Sequence, residues 1–264
     1  MSLLVWIILF SLVGGVLSVL AAGSFLLFPA HFRMRMLPHL VSFAMGALLG
    51  AAFLDLLPEA LAQGTDPHSI SATVLAGLLA FFFLEKVVLW RHAHTHSTEL
   101  DCTEHTHHHS GPEKAAGTLI LIGDGIHNFV DGILIAAAFL TDVRLGVVTS
   151  LAVAAHEIPQ EVGDFAILLH SGFSRSKALF YNVLSSLTTV VGGVLAYYSF
   201  SGLTKLLPFV LAIAASSFIY IAVADLLPDL HKRTAARATL QQTTLIALGI
   251  LVIYLAERAL HSAV

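Results

Sequence analysis

From Leu3 to about residue 260 the chain is a succession of long apolar runs separated by polar breaks, all but one of them short. Eight runs, near residues 3–28, 38–59, 69–90, 115–140, 145–170, 177–200, 206–228 and 240–260, match the ~20 residues that a helix needs to cross a bilayer. Runs of that length are too long for strands. The pattern therefore predicts an all-α polytopic membrane protein of eight transmembrane helices, forming one domain over residues 1–264.

Composition sharpens this. The chain is 57% hydrophobic and 11% charged, with a mean hydropathy of +0.85, whereas soluble domains carry roughly 25% charged residues. The lipid bilayer is thus a partner. A formal charge of -4 gives no footing for nucleic acid, and no motif for an organic cofactor is present. The first run has no Lys or Arg ahead of it and exceeds a signal-peptide core, so it reads as a retained helix. Cys102 is the single cysteine, which rules out an internal disulfide.

Charge sets the expected orientation. Arg33, Arg35, Lys86, Arg91, Lys114, Arg175, Lys177, Lys232, Arg233 and Arg237, ten of the thirteen basic residues, follow the first, third, fifth and seventh runs; Arg144, Lys205 and Arg258 lie on the other side. The positive-inside rule then places both termini outside the cytoplasm of a plasma membrane or bacterial inner membrane. The long break, residues 91–114, falls inside. It holds His92, His94, His96, His105, His107, His108 and His109, seven of the fifteen histidines. Its composition gives no apolar surface to bury, so it is expected to be disordered without a ligand and to capture or sense metal.

An internal echo links LDLLPEA at 54–60 with ADLLPDL at 224–230. The two strings end runs of opposite direction, as an inverted repeat of helices 1–3 and 6–8 would give in a 3+2+3 arrangement. On that reading Asp55, Glu59, Asp225 and Asp229 flank the two mouths of a pathway.

The polar load concentrates in the fourth and fifth runs, as GDGIHNFVDG (123–132) and HEIPQEVGD (156–164). His127 and Asp131 are four apart, as are His156 and Gln160, so each pair shares a helix face. The link between the runs is short. Asn128 stands fourteen residues before Asp142 and His156 fourteen after it, so both lie ~20 Å from that end. His127, Asn128, Asp131, His156, Glu157 and Gln160 are therefore predicted to converge near mid-membrane. Charged groups at that depth cost ~2.5–3.5 kcal/mol each and face a cavity, a partner or an ion. Mutual pairs such as His127 with Glu157 would satisfy two groups; six donors at one depth point to a metal site. Pro159 lacks an N–H and is expected to open the helix there. Imidazole with carboxylate suits a borderline divalent ion, Zn²⁺ first, with Fe²⁺, Mn²⁺, Co²⁺ and Cd²⁺ also compatible.

The two motifs, the eight runs and the histidine-rich break resemble the ZIP family of zinc and iron permeases, in the branch carrying HNFxDG and HExPxExGD. The resemblance implies divalent metal uptake into the cytoplasm by alternating access. It also implies first-site ligands His127, Asp131, His156 and Gln160, and a second site of Asn128 and Glu157 sharing Asp131 and Gln160. Elevator-type motion of helices 1, 4, 5 and 6 against 2, 3, 7 and 8, in a homodimer, comes with it. The chain departs from the branch at Gln160, where His is common. Around this centre, Asp124, Glu161, Asp164 and His170 extend the polar strip, and Asn182, Ser185 and Thr189 share a face of the sixth run. Glu85 and Glu257 read as solvated helix ends.

Two other functions compete. An intramembrane metal-dependent hydrolase would use HEIPQ as a variant of HExxH, but the second histidine is missing. A proton-coupled exchanger or metal sensor could use the same carboxylates. The hydrolase scheme gives the donors of the fourth run no part, and flux with and without a pH gradient separates the exchanger; the chain is read as a non-enzyme.

Overall fold

The structure, a computed structural model, describes residues 2–63, 66–97, 111–200 and 202–262; His105, His107, His108 and His109 fall outside these. Among the described residues there is no strand, and eight long helices account for nearly all of the chain. They are α1 (Leu3–Phe25), α2 (Ala30–Ala62), α3 (Pro67–Ser97), α4 (Gly111–Thr141), α5 (Val143–His170), α6 (Arg175–Phe200), α7 (Thr204–Leu226, continued by Leu227–His231) and α8 (Ala236–Ser262). Seven of them contain segments long and apolar enough to cross a membrane. The other is α5, whose 28 residues span ~42 Å but which carries the acidic motif.

The helices on either side of the histidine-rich break reach into it. No Gly or Pro lies between Gly77 and Gly111, so nothing in the backbone stops α3 before Ser97. The backbone at His92, His94 and His96 is helical.

A single residue, Asp142, separates α4 from α5. Its carboxylate accepts the backbone N–H of Arg144 at 2.7 Å and of Leu145 at 3.4 Å, which caps the start of α5. So short a link makes α4 and α5 an antiparallel pair. The phenyl ring of Phe139 fills the space where a Cβ on Gly146 would stand, 2.2 Å away, so any larger residue would force the hairpin apart at its closed end. At the other end Gly172, with φ of 81°, lets the N–H of Phe173 reach back to the carbonyl of Leu168 and ends α5 just after His170.

Close approaches of backbone sort the helices into two groups. A Cβ on Gly132 of α4 would stand 1.9 Å from the carbonyl oxygen of Thr189 in α6, and one on Gly192 of α6 would stand 2.1 Å from that of Phe129 in α4. A Cβ on Gly46 of α2 would stand 2.1 Å from the Ile246 carbonyl of α8, and one on Gly249 of α8 would stand 2.3 Å from that of Phe43 in α2. Small residues at such crossings let helices pack backbone to backbone in lipid. Every glycine contact of this kind stays within α1, α4, α5 and α6 or within α2, α3, α7 and α8. Between the groups, α2 and α8 lie against α5, and α7 lies against α4.

The echoed strings adopt the same local form. Six residues of π-helix, Ala51–Leu56 and Ile221–Leu226, precede Pro58 and Pro228, and Asp55 and Asp225 hold the fifth place in each. A proline removes the hydrogen bond to the carbonyl four residues back and crowds it, which widens the preceding turn. Pro159 behaves differently from expectation: α5 is continuous through it. Pro159 is buried, and the helical backbone runs on through the place where it removes one hydrogen bond.

Candidate metal centre

Donor atoms converge where α4 and α5 face each other. His127 and His156 bring their Nε2 atoms to 3.2 Å, with the rings edge to face. The Oδ2 atom of Asp131 stands 3.7 Å from the His127 Nε2 and 3.3 Å from the His156 Nε2. The Oε1 atom of Glu157 stands 3.3 Å and 3.5 Å from the same two atoms. An ion with bonds of ~2.0–2.2 Å to four tetrahedral donors holds them about 3.3–3.6 Å apart. The five separations between imidazole nitrogens and carboxylate oxygens or each other, 3.2–3.7 Å, are close to those of such a shell.

The supporting contacts favour a cation. His156 is fully buried, and its Nδ1 donates to the Ala152 carbonyl at 3.2 Å. A carbonyl can only accept, so Nδ1 carries the proton and Nε2 offers its lone pair to the cluster. Asp131 and Glu157 are buried, and none of their four oxygens accepts a hydrogen bond from the described residues. Buried carboxylates without such partners are costly, and a positive charge between them offsets the cost. The Phe218 ring of α7 packs against the His156 ring at 6.2 Å between centroids, which places the cluster at the boundary of the two helix groups.

The resemblance groups Gln160 with the first-site histidines and Glu157 with Asn128, and the structure gives the surroundings of each. Glu157 stands among the four converging donors. Gln160 lines an adjoining cavity. The Asn128 amide is engaged on both sides: Nδ2 donates to the Asp124 carboxylate at 2.8 Å, and Oδ1 accepts from the Thr189 hydroxyl at 2.8 Å. Ser185 donates to the other Asp124 oxygen. The shared face of α6 thus fixes Asp124 and Asn128 through Ser185 and Thr189. A second group, Asp124, Glu157 and Glu161, shares Glu157 with the first. Among the described residues nothing hydrogen-bonds either oxygen of the buried Glu161 or the side-chain amide of the buried Asn182. His170 is exposed at the end of α5, where its Nδ1 bonds the Ala166 carbonyl.

Two cavities approach the cluster from opposite ends. The first, of about 510 Å³, opens towards the end where α3 stops and α4 starts, and it reaches His127. Glu85, Asp124, Gln160, Asp164 and Asp225 line it. The second, of about 410 Å³, lies at the Asp142 end, is lined by Asp55, Glu59, Asp142, Arg144 and Glu257, and includes none of the four donors. Glu59 also accepts from Gln63. The backbone of Asp229 lies in Leu227–His231, and its side chain is outside the described residues.

Glu85 is corrected by this picture, lining a cavity well before the end of its helix, while Glu257 does stand near the end of α8 and lines the cavity at the Asp142 end. Glu85 accepts from the Tyr220 hydroxyl of α7. Because α3 continues to Ser97, Glu85 lies well inside the helix; its place beside Lys86 gave the impression of an end. Tyr220 carried no signal in the sequence beyond an aromatic in an apolar run.

Comparison with known proteins gives the family. The family described as ZIP Zinc transporter matches residues 3–257. Zinc transporter ZIP13 of Pongo abelii is 36% identical over 233 residues, covering 83% of this chain and 66% of the relative. Zinc transporter ZIP13 of Mus musculus is 34% identical over 250 residues, 83% of this chain and 69% of the relative. Zinc transporter foi of Drosophila melanogaster is 41% identical over 145 residues, 54% of this chain and 20% of the relative. The chain thus spans about two thirds of the two ZIP13 relatives and a fifth of the fly protein. With a match that runs almost from end to end, the chain belongs to the ZIP zinc transporter family.

Proposed function

We propose that this chain carries a divalent metal ion, zinc before all others, across a membrane into the cytoplasm by alternating access. His127, Asp131, His156 and Glu157 hold the ion, and Gln160, Asp124 and Glu161 receive it on the way out. The observation that carries the reading is the spacing of four buried donors at 3.2–3.7 Å with their carboxylate oxygens otherwise unbonded. Fe²⁺, Mn²⁺, Co²⁺ and Cd²⁺ fit the same donor set.

In this reading all eight helices cross the membrane, both termini lie outside, and the larger cavity faces the cytoplasm. The paired π-helical turns ahead of Pro58 and Pro228 support an inverted repeat of α1–α3 and α6–α8. Division of the glycine contacts between two helix groups supports motion of one group against the other. The donors all sit in one group. The ion would then travel with its ligands while the boundary with α2, α7 and α8 changes.

The test is flux. Purified protein in liposomes should move Zn²⁺ or Cd²⁺, and His156→Ala or Asp131→Ala should abolish that movement while leaving a folded protein. Unchanged flux in both variants would sink the proposal.

A further inference from the structure

The cavity at the Asp142 end has four carboxylates in its lining and one basic side chain, Arg144. Asp55 is only 6% exposed, and neither of its oxygens is hydrogen-bonded by the described residues. A carboxylate so placed needs a cation close by to stay charged. Arg144 is anchored at the wall of the same cavity: its Nε donates to Asp142 Oδ1 at 3.1 Å and an Nη atom donates to Oδ2 at 3.2 Å. Asp142 is itself fixed by the backbone N–H groups that open α5. A flexible cation is thus docked on one acid while three others line the cavity with it.

We infer that Arg144 is a specificity-determining residue, a tethered cation that competes with incoming ions for Asp55, Glu59 and Glu257 and so admits divalent over monovalent ions. The inference rests on the transport reading above. Attraction to these carboxylates scales with the charge of the ion. A monovalent ion gains no more per contact than the guanidinium does, and the guanidinium is present at the high effective concentration that a tether confers. A divalent ion gains twice as much and displaces the arginine. Asp142, on which the guanidinium rests in this structure, remains its bidentate partner when an ion takes the other acids, so displacement leaves no charge unpaired.

Opposite responses of two variants test this. Zn²⁺ uptake into liposomes by the full chain is measured over a range of Zn²⁺, with NaCl or choline chloride at equal ionic strength. Arg144→Gln should lower the half-saturating Zn²⁺ severalfold and make uptake inhibited by Na⁺ relative to choline, whereas uptake by the unaltered chain should be indifferent to Na⁺. Asp142→Asn keeps a good helix cap but releases the guanidinium onto the other acids, so half-saturation should rise severalfold. Arg144→Lys keeps the charge and should keep indifference to Na⁺. Shifts in one direction for both Arg144→Gln and Asp142→Asn, or no shift in either, would overturn the inference, as would Na⁺ inhibition of Arg144→Lys. Thermal unfolding of each variant in detergent separates these results from loss of fold. If the unaltered chain moves no metal, the transport reading fails; if it does and the variants match it, only the role of Arg144 fails.

Discussion

The two cavities share an acidic lining and differ in what stands behind it. At the end shared by α3 and α4 the lining carboxylates lead to His127, whose side chain is 24% exposed, whereas those of Asp131, His156 and Glu157 are at most 1% exposed. At the Asp142 end the lining stops short of every donor, with Val148 at 1% exposure. One acid-lined cavity is therefore continuous with the cluster and the other is shut off from it. Negative charge thus lines both cavities, while only the one at the α3–α4 end includes a donor of the cluster in its lining.

The comparison can be broken most sharply at the cluster itself. Glu157→Ala should reduce Zn²⁺ binding, measured by calorimetry on the purified chain, by more than the ~10–100-fold that loss of a supporting partner costs. Gln160→Ala, which alters only the cavity wall, should cost less than about tenfold on the same scale. A larger loss from Gln160→Ala would move the site into the first cavity. Access comes next. In a background with Cys102 replaced by Ser, a thiol at Gly163, where a Cβ meets nothing within 4 Å, should react with a water-soluble alkylating reagent roughly tenfold or more faster than one at Val148. Equal rates would erase the difference between the ends. The smallest effect belongs to the hairpin corner. Asp142→Ala should destabilise the chain by about 1 kcal/mol and Asp142→Asn by less, since asparagine still caps.

That last effect has a pH dependence with a defined sign. Hydrogen bonds from Arg144 hold the Asp142 carboxyl below its ordinary pKa. A group whose folded pKa is depressed stabilises the fold above its unfolded value and loses that contribution as pH falls through the folded one. The gap in thermal stability between the unaltered chain and Asp142→Ala should thus narrow at acid pH, below the ordinary carboxylate range. Because the pair is partly exposed, the change is small.

Much of this architecture was legible because a membrane simplifies the code. Long apolar runs announced the helices, and a link of a few residues between the fourth and fifth let depth be counted. That count paired the neighbourhoods of residues 128 and 156, and the imidazoles of His127 and His156 do meet at 3.2 Å. The division of labour among neighbouring donors was not legible. Helix-face reasoning ties His156 to Gln160, four residues on, yet the long side chain of Glu157 reaches the same space from the adjacent position. Glu85 was hidden for another reason: it looked terminal, and only the continuation of α3 to Ser97 and its contact with Tyr220 of α7 turn it inward. Ser185 and Thr189 were visible as a face but not as the hydrogen-bond donors that hold Asp124 and Asn128.

The one-residue link between α4 and α5 also bears on how the site comes into being. All four donors lie between residues 127 and 157, so they meet through local contacts, which form early and fast. On a nascent chain emerging from its N-terminus, the hairpin is complete before α6, α7 and α8 have been made. The centre can assemble as a preformed unit during biogenesis, and the later helices add its walls and its supports.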